Sequence, residues 1–308
     1  MFNGVRQDAV CSPVLFCVYL DGLLLRLEAA KVGCYVGNYY LGALCYADDL
    51  TLLAPTAAAM RTLLTICEEY ASEHAMTFNA DKSKCIVFKS RSVASNDRPS
   101  FFIAGKLIDY TSSWPHLGNI ISETQDDYNC IAARRIQLIG QVNNVLSTFG
   151  KLNPITKNHL LFKLCSSLYG SVTWNLLHPE TNRVCTSWRV ALRRIWHLPP
   201  NSHNDVVSAL GSNRNMFDEL CHRTLKFIMF CLSNHNSNST VNFIVRNSLF
   251  FCRSFYHPSD EIFRTSLNAT TSDPVIFATL QTAVPLCLTL ITFAQFSSKK
   301  YVILLSCS

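Results

Sequence analysis

Two adjacent carboxylates, Asp48 and Asp49, sit between apolar runs in the stretch 41–54, LGALCYADDLTLLA. Neighbouring side chains on a regular strand point to opposite faces, so two such aspartates can share a site only at a turn or strand end. The two short apolar runs predict a buried β-hairpin with its charges at the turn. Like charges placed side by side repel unless cations intervene, and carboxylate oxygens suit a hard cation such as Mg²⁺. Two Mg²⁺ ions roughly 4 Å apart can make a 3′-hydroxyl nucleophilic and neutralise charge developing on a phosphoryl group. Aspartate also favours turns for local hydrogen bonding, so taken alone the pair reads equally well as a polar hairpin turn.

The elements around the pair predict an α+β unit followed by helices. Ser12-Pro13 is a good helix start, because the serine oxygen can cap free N–H groups and proline at the first position loses no needed donor; the helix should reach Ala30. From Ala57 to His74 the positions Met60, Leu63, Leu64, Cys67, Tyr70 and Ala71 recur at helical spacing, with Glu68, Glu69 and Glu73 on another side. Residues 84–89 read as a strand, 101–110 as two short strands about Ala104-Gly105-Lys106, and Leu117 to Ile121 as another strand. From Asp126 helical patterns cover 127–149, 154–177, 180–197 and 216–233, separated by Gly150, Pro154, Pro179, Pro199-Pro200 and Gly211.

With 308 residues, 49% of them hydrophobic and 16% charged, the chain can bury a sizeable core, which excludes wholesale disorder. Its net charge of +6 is unevenly spread: residues 1–127 carry net −4, residues 128–257 net +10, and residues 258–308 net zero. Carboxylates that hold metal ions joined to a basic surface that neutralises phosphates suit a nucleic-acid enzyme, and ordinary solvated helix faces would give the same sums. The fourteen cysteines show no even spacing and no signal peptide opens the chain, so an intracellular setting, cytoplasm and nucleus, is expected. The sequons at Asn238 and Asn268 then carry no weight. Cys221, His222, Cys231 and His235, and Cys252 with His257, match no compact zinc module. Residues 275–296 hold no charge, but Pro285 and two glutamines weaken them as a membrane span, and no membrane partner is expected unless they do span.

Several ordered blocks resemble the reverse transcriptases of non-LTR, LINE-type retrotransposons, whose active-site hairpin carries Tyr-x-Asp-Asp, here Tyr46-Ala47-Asp48-Asp49. Residues 4–16, GVRQDAVCSPVLF, resemble the segment running into the helix beneath nucleotide and template. Residues 76–88, MTFNADKSKCIVF, are similar to the block of asparagine, lysine and apolar strand. Residues 114–118, WPHLG, look like the turn opening the primer-grip region, and residues 188–198, WRVALRRIWHL, like the basic helix of the thumb. The likeness covers residues 3–250.

The resemblance implies a partial polymerase palm with its primer-grip region over 1–125, an all-helical basic thumb and its continuation over 126–250, and an apolar tail over 251–308. It implies an RNA-directed DNA polymerase using two Mg²⁺ ions, an RNA template, a DNA primer and deoxynucleoside triphosphates. Asp48 would be the main metal-binding carboxylate and Asp49 its partner with a weaker or indirect role. Tyr46 would lie near the primer end, Arg6 and Gln7 close to template and nucleotide. Lys82 or Lys84 would approach the leaving group as cation or proton donor, Lys82 fitting better the spacing from Asn79. Arg134, Arg135, Arg189, Arg193 and Arg194 would contact nucleic acid.

The family also places an aspartate at the end of an earlier strand, upstream of the GVRQ-like block, and here that block begins three residues after Met1. The expectation is a fragment lacking the fingers and first catalytic aspartate, with an incomplete metal site; the alternative is a catalytically inactive nucleic-acid-binding remnant. Asp8 stands in place of a second glycine, Ala9 also departs, and Ala75 replaces the common glycine before Met76. These departures bear on nucleotide binding more than on the fold.

Overall fold

Local pattern carries the first helix as far as Ala29, and the next elements are two-stranded or short, as turn residues interrupt every apolar run. The computed structural model describes residues 12–88, 98–211, 215–233 and 300–306. The chain divides into two compact units, one of Met1–Pro115, Ile121–Gln125 and Phe293–Ser308, the other of His116–Ile120 and Asp126–Thr292. Helices and sheets together make it α+β.

The first unit begins with α1 (Ser12–Ala29), then the two-residue strands β1 (Tyr35–Val36) and β2 (Tyr39–Tyr40), then β3 (Ala43–Tyr46) and β4 (Asp49–Ala54). Helix α2 (Ala57–Glu73) follows, started by Thr56, whose hydroxyl accepts the Ala59 N–H at 3.1 Å. Its buried positions are Met60, Leu63, Leu64, Cys67, Tyr70 and Ala71, the six that helical spacing predicts. Tyr70 donates to the Tyr19 carbonyl at 2.6 Å, and Arg26 meets Glu73 through two bonds of 3.0 and 2.7 Å, fastening α2 to α1. Next come β5 (Lys84–Phe88), β6 (Phe102–Ile103), β7 (Lys106–Leu107) and β8 (Asp109–Tyr110), with Ala104-Gly105 turning β6 into β7 as predicted.

Strands β9 (Ser113–His116) and β10 (Asn119–Ser122) pair with each other. The strand predicted from Leu117 starts two residues later, because Leu117 and Gly118 take φ of 47° and 77° and form the turn. The second unit contains α3 (Tyr128–Thr148), α4 (Pro154–Cys165), α5 (Pro179–Ile195), α6 (Asn204–Leu210) and α7 (Met216–Ser233). The helix predicted over 154–177 ends at Cys165; Arg223 takes the carbonyls of Ser166 and Ser167 at 2.6 and 3.1 Å, and Gly170, at φ 80°, turns the chain into a short 3-10 segment. Helix α6 is absent from the periodicity because about two turns give too few positions to repeat. Trp174 and Trp188, each 1% exposed, centre the core of this unit.

The largest departure from expectation is in the tail. Residues 300–306, left by the sequence in an apolar segment of no assigned structure, form β11 (Lys300–Ser306). This strand is the middle of a five-stranded sheet ordered β3-β4-β11-β5-β8. It runs antiparallel to β4, from Tyr301 opposite Ala54 to Ser306 opposite Asp49, and antiparallel to β5, from Lys300 opposite Phe88 to Leu304 opposite Lys84. Tyr301, Ile303 and Leu305 join the core beneath α1 and α2, while Val302 and Leu304 pack on the other face with Ile86, Leu53 and Trp114. A strand buried on both faces reads as an unbroken apolar run, which is what YVILL is. The uncharged stretch 275–296 lies outside the described residues, among which no helix is long and apolar enough to cross a membrane.

Candidate active site

Strands β3 and β4 pair from Ala43 opposite Leu52 to Tyr46 opposite Asp49, which leaves Ala47 and Asp48 as a two-residue turn. Ala47 has φ of 50°, in the left-handed region, so the chain reverses within those two residues. Asp48 thus stands in the turn and Asp49 opens β4, and the strict up-down alternation of a strand does not separate them. The hairpin is less buried than its apolar sequence suggests. β3 is the edge of the sheet, with Leu44 48% and Tyr46 67% exposed, so only its alternate residues reach the core.

Asp48 is exposed and Asp49 half-buried, and neither makes a side-chain hydrogen bond or ion pair among the described residues. Two hard oxygen donors without a compensating cation fit a divalent metal ion. They are alone in this, since among the described residues no group of three or more His, Cys, Asp or Glu side chains could hold one.

Lys82 and Lys84 separate clearly. Asn79 accepts the Lys82 backbone N–H at 3.1 Å and its carbonyl accepts the Ser83 hydroxyl at 2.7 Å, a local turn that leaves the Lys82 side chain exposed. Lys84 is committed, its ammonium 2.7 Å from Asp109 and 5.6 Å from the Trp114 ring. Arg6 and Gln7 lie outside the described residues. Ala75, in the glycine position of the family pattern, has φ of 51° and follows the last turn of α2, where the Met76 N–H reaches the Ala71 carbonyl at 3.0 Å. This is a helix cap that favours glycine.

In the second unit the basic residues take different parts. Arg134 donates to the Gly118 carbonyl and to Gln137 at 2.8 Å and lies 5.4 Å from the Tyr169 ring, while Arg135 stands 3.6 Å from the buried carboxylate of Glu180. Both therefore also hold the fold. Arg189 is bonded to Thr186 at 3.0 Å. Arg193 and Arg194 open into a concavity of about 640 Å³ that also receives Lys157 and His197, two residues the sequence did not single out. Buried Cys185 has its thiol pushed up to about 11 by burial, and Cys221 and Cys231 are likewise buried, while His235, Cys252 and His257 lie outside the described residues.

Residues 1–142 match the family of reverse transcriptases (RNA-dependent DNA polymerase). The chain is 34% identical over 219 residues to a Pol polyprotein of type-1 retrotransposable element R2 from Popillia japonica, an alignment covering 67% of this chain and 34% of that protein. It is 33% identical over 129 residues to the Pol polyprotein of type-2 retrotransposable element R2DM from Drosophila melanogaster, covering 38% of this chain and 11% of that protein. A Nasonia vitripennis R2 Pol polyprotein is 29% identical over 123 residues, covering 38% and 12%. The chain thus spans about a third or less of the length of these relatives.

Proposed function

We propose, from the premise that residues 1–142 of this chain belong to the reverse transcriptases and that it is of the non-LTR retrotransposon kind, that it forms the catalytic palm and thumb of an RNA-directed DNA polymerase. The sheet unit is the palm and the helical unit the thumb. The observation that carries this reading is the two-residue turn Ala47-Asp48, with Asp49 at the first position of β4 and neither carboxylate paired to a cation among the described residues.

Reverse transcriptases as a family use divalent metal ions. Mg²⁺ held by Asp48 and Asp49 would supply the positive charge that activates a primer 3′-hydroxyl and steadies the pentavalent phosphorus. The chain's own residues do the rest. Asp48 and Asp49 fix where that charge stands, and Tyr46, 67% exposed beside them, offers its ring to the primer end. Attack on the α-phosphorus forms one P–O bond and releases pyrophosphate, whose charge the free ammonium of Lys82 meets and can protonate. Arg6 and Gln7 contact template and nucleotide, and Arg189, Arg193 and Arg194 the phosphates of the template–primer duplex.

Primer extension by the full chain on an RNA template with Mg²⁺ tests the assignment. Asp48→Ala should cut product formation by about 10² or more; extension that survives it would overturn the role of the hairpin. A second reading, a nucleic-acid-binding remnant without catalysis, draws on the lack of any three-ligand metal group among the described residues. It expects no extension but hybrid binding that weakens steeply with salt, by about 0.9 in log–log slope per phosphate neutralised. Binding indifferent to salt would rule it out.

A further inference from the structure

The concavity in the helical unit is built by the end of α3 (Leu146, Gly150), the first half of α4 (Lys157) and the last turns of α5 and the residues after it (Val190 to Pro200). Its residues fall into two kinds, cations and apolar side chains, and no acidic side chain is among those lining it. Lys157 is 4% exposed, yet its ammonium makes no hydrogen bond or ion pair among the described residues. Its stem is packed away while its charged end is left to the concavity, and the usual answer to such a cation in a folded protein is a carboxylate close by. Here the neighbours are more cations.

Those neighbours are held in place by neutral groups. Arg193 donates to the Ser202 carbonyl at 2.8 Å and to Asn204 at 2.9 Å, and Arg194 to Asn143 at 2.8 Å. Hydrogen bonds to amides and carbonyls fix a guanidinium without cancelling its charge, whereas Arg135, Arg183 and Arg223 in the same unit are each answered by a glutamate. His197 is set by the backbone: its φ of 51° closes α5, with the Leu198 N–H returning to the Arg193 carbonyl at 2.9 Å. Lys157 also lies in the first turns of α4, near the positive end of the helix dipole.

We propose that this concavity is a phosphate site that accepts one nucleotide unit, with Lys157 as its inner cation, Arg193 and Arg194 at its sides and the apolar residues Leu146, Val190 and Leu198 against the sugar or base. Preset cations that lack an anion among the lining residues of a concavity within the size range of ligand sites call for a group that is both anionic and rich in acceptor oxygens. That the phosphate is carried by a nucleotide rests on the polymerase reading above; the anion chemistry does not. The nucleotide can be free or part of a strand.

Thermal unfolding of the full chain, followed with deoxyadenosine monophosphate, deoxyadenosine, or a 5′-phosphorylated single-stranded DNA of about 12 nucleotides, tests it. Deoxyadenosine monophosphate should raise the melting temperature and deoxyadenosine should not. A strand acting at far lower concentration than the mononucleotide identifies the source as nucleic acid; equal potency identifies a free nucleotide. Lys157→Met should fold about as stably as the parent without ligand, since it keeps the packed stem as an unbranched apolar chain and removes only an unpaired ammonium, and should bind about 10- to 100-fold more weakly. Arg194→Gln, at the exposed rim, should weaken binding less. Asp48→Ala should leave the response intact whatever it does to primer extension, which separates failure of the pocket from failure of the polymerase reading. A response equal in Lys157→Met and parent, equal for nucleoside and nucleotide, or absent with both the mononucleotide and the strand would overturn the site.

Discussion

In the sheet unit Asp48 and Asp49 stand without a partner among the described residues, held at a hairpin turn in contact with water. In the helical unit Lys157, 4% exposed, also stands without one among the described residues, in a concavity it shares with Arg193, Arg194 and apolar side chains. The two situations differ in what they imply. Charged turns are cheap because water solvates them, so an aspartate pair alone is weak grounds for a site and gains its meaning from the hairpin geometry around it. A lysine whose stem is packed away and whose charge faces a concavity without acidic side chains is less easily dismissed as a solvated surface charge, and that is a reason to look for a ligand. The units differ as well in what holds them: the sheet depends on a strand brought from the far end of the sequence, the helices on neighbours in sequence.

The largest effect that would sharpen this contrast is expected at β11. Ile303→Asp places a carboxylate where the side chain is fully buried, and should cost the sheet unit about 4 kcal/mol or more, while hydrogen exchange in α3 to α7 stays protected. Equal loss of protection in both units would dissolve the distinction between them. Trp188→Ala is the converse: removing a side chain 1% exposed should destabilise the helical unit by about 3 to 5 kcal/mol and leave the amides of β4 and β5 as slow as before. A smaller effect of opposite sign is expected at the end of α2. Ala75→Gly relieves a left-handed backbone at φ 51° and should raise stability by about 1 kcal/mol in chemical denaturation; a loss instead would mean that Ala75 carries packing that outweighs the strain.

The smallest effect concerns pH. Hydrogen bonding to Arg26 holds the Glu73 carboxyl below its usual range. A carboxylate whose pKa is lowered by folding contributes stability above the unfolded value and loses it as pH falls through the lowered one. The melting-temperature gap between the parent and Glu73→Gln should therefore be small at pH 7 and vanish in more acidic solution. A gap that widens on acidification would contradict the sign.

Local pattern was enough for much of the sheet unit. The six buried positions of α2 follow from spacing alone, and the hairpin that turns at Asp48, beside Asp49, follows from two apolar runs and a charge pair. The exposure of β3 did not, because whether a strand lies at the edge depends on which strand comes next to it, and no neighbour is written into LGALCY. For β11 the signal was present in the unbroken YVILL, but an apolar run at the end of a chain names no partners. The pattern makes α4 too long because the donor that takes its terminal carbonyls, Arg223, lies 57 residues from Ser166. Lys157 escaped notice for a related reason: in sequence it is one lysine on an amphipathic helix, and its burial is decided by α3 and α5.

The position of β11 also governs the order in which the chain can acquire its structure during synthesis. β4 and β5 do not pair with each other; each pairs with β11. Until residues 300–306 have left the ribosome, the strand bearing Asp49 has only β3 beside it, and two strand edges remain open. By then residues 126–233 have long emerged, and their helices, closed by contacts near in sequence, can already have folded. The sheet unit would thus be completed after the helical one, reversing the usual N-terminal-first sequence and leaving the aspartate hairpin without its full sheet until residues 300–306 have emerged.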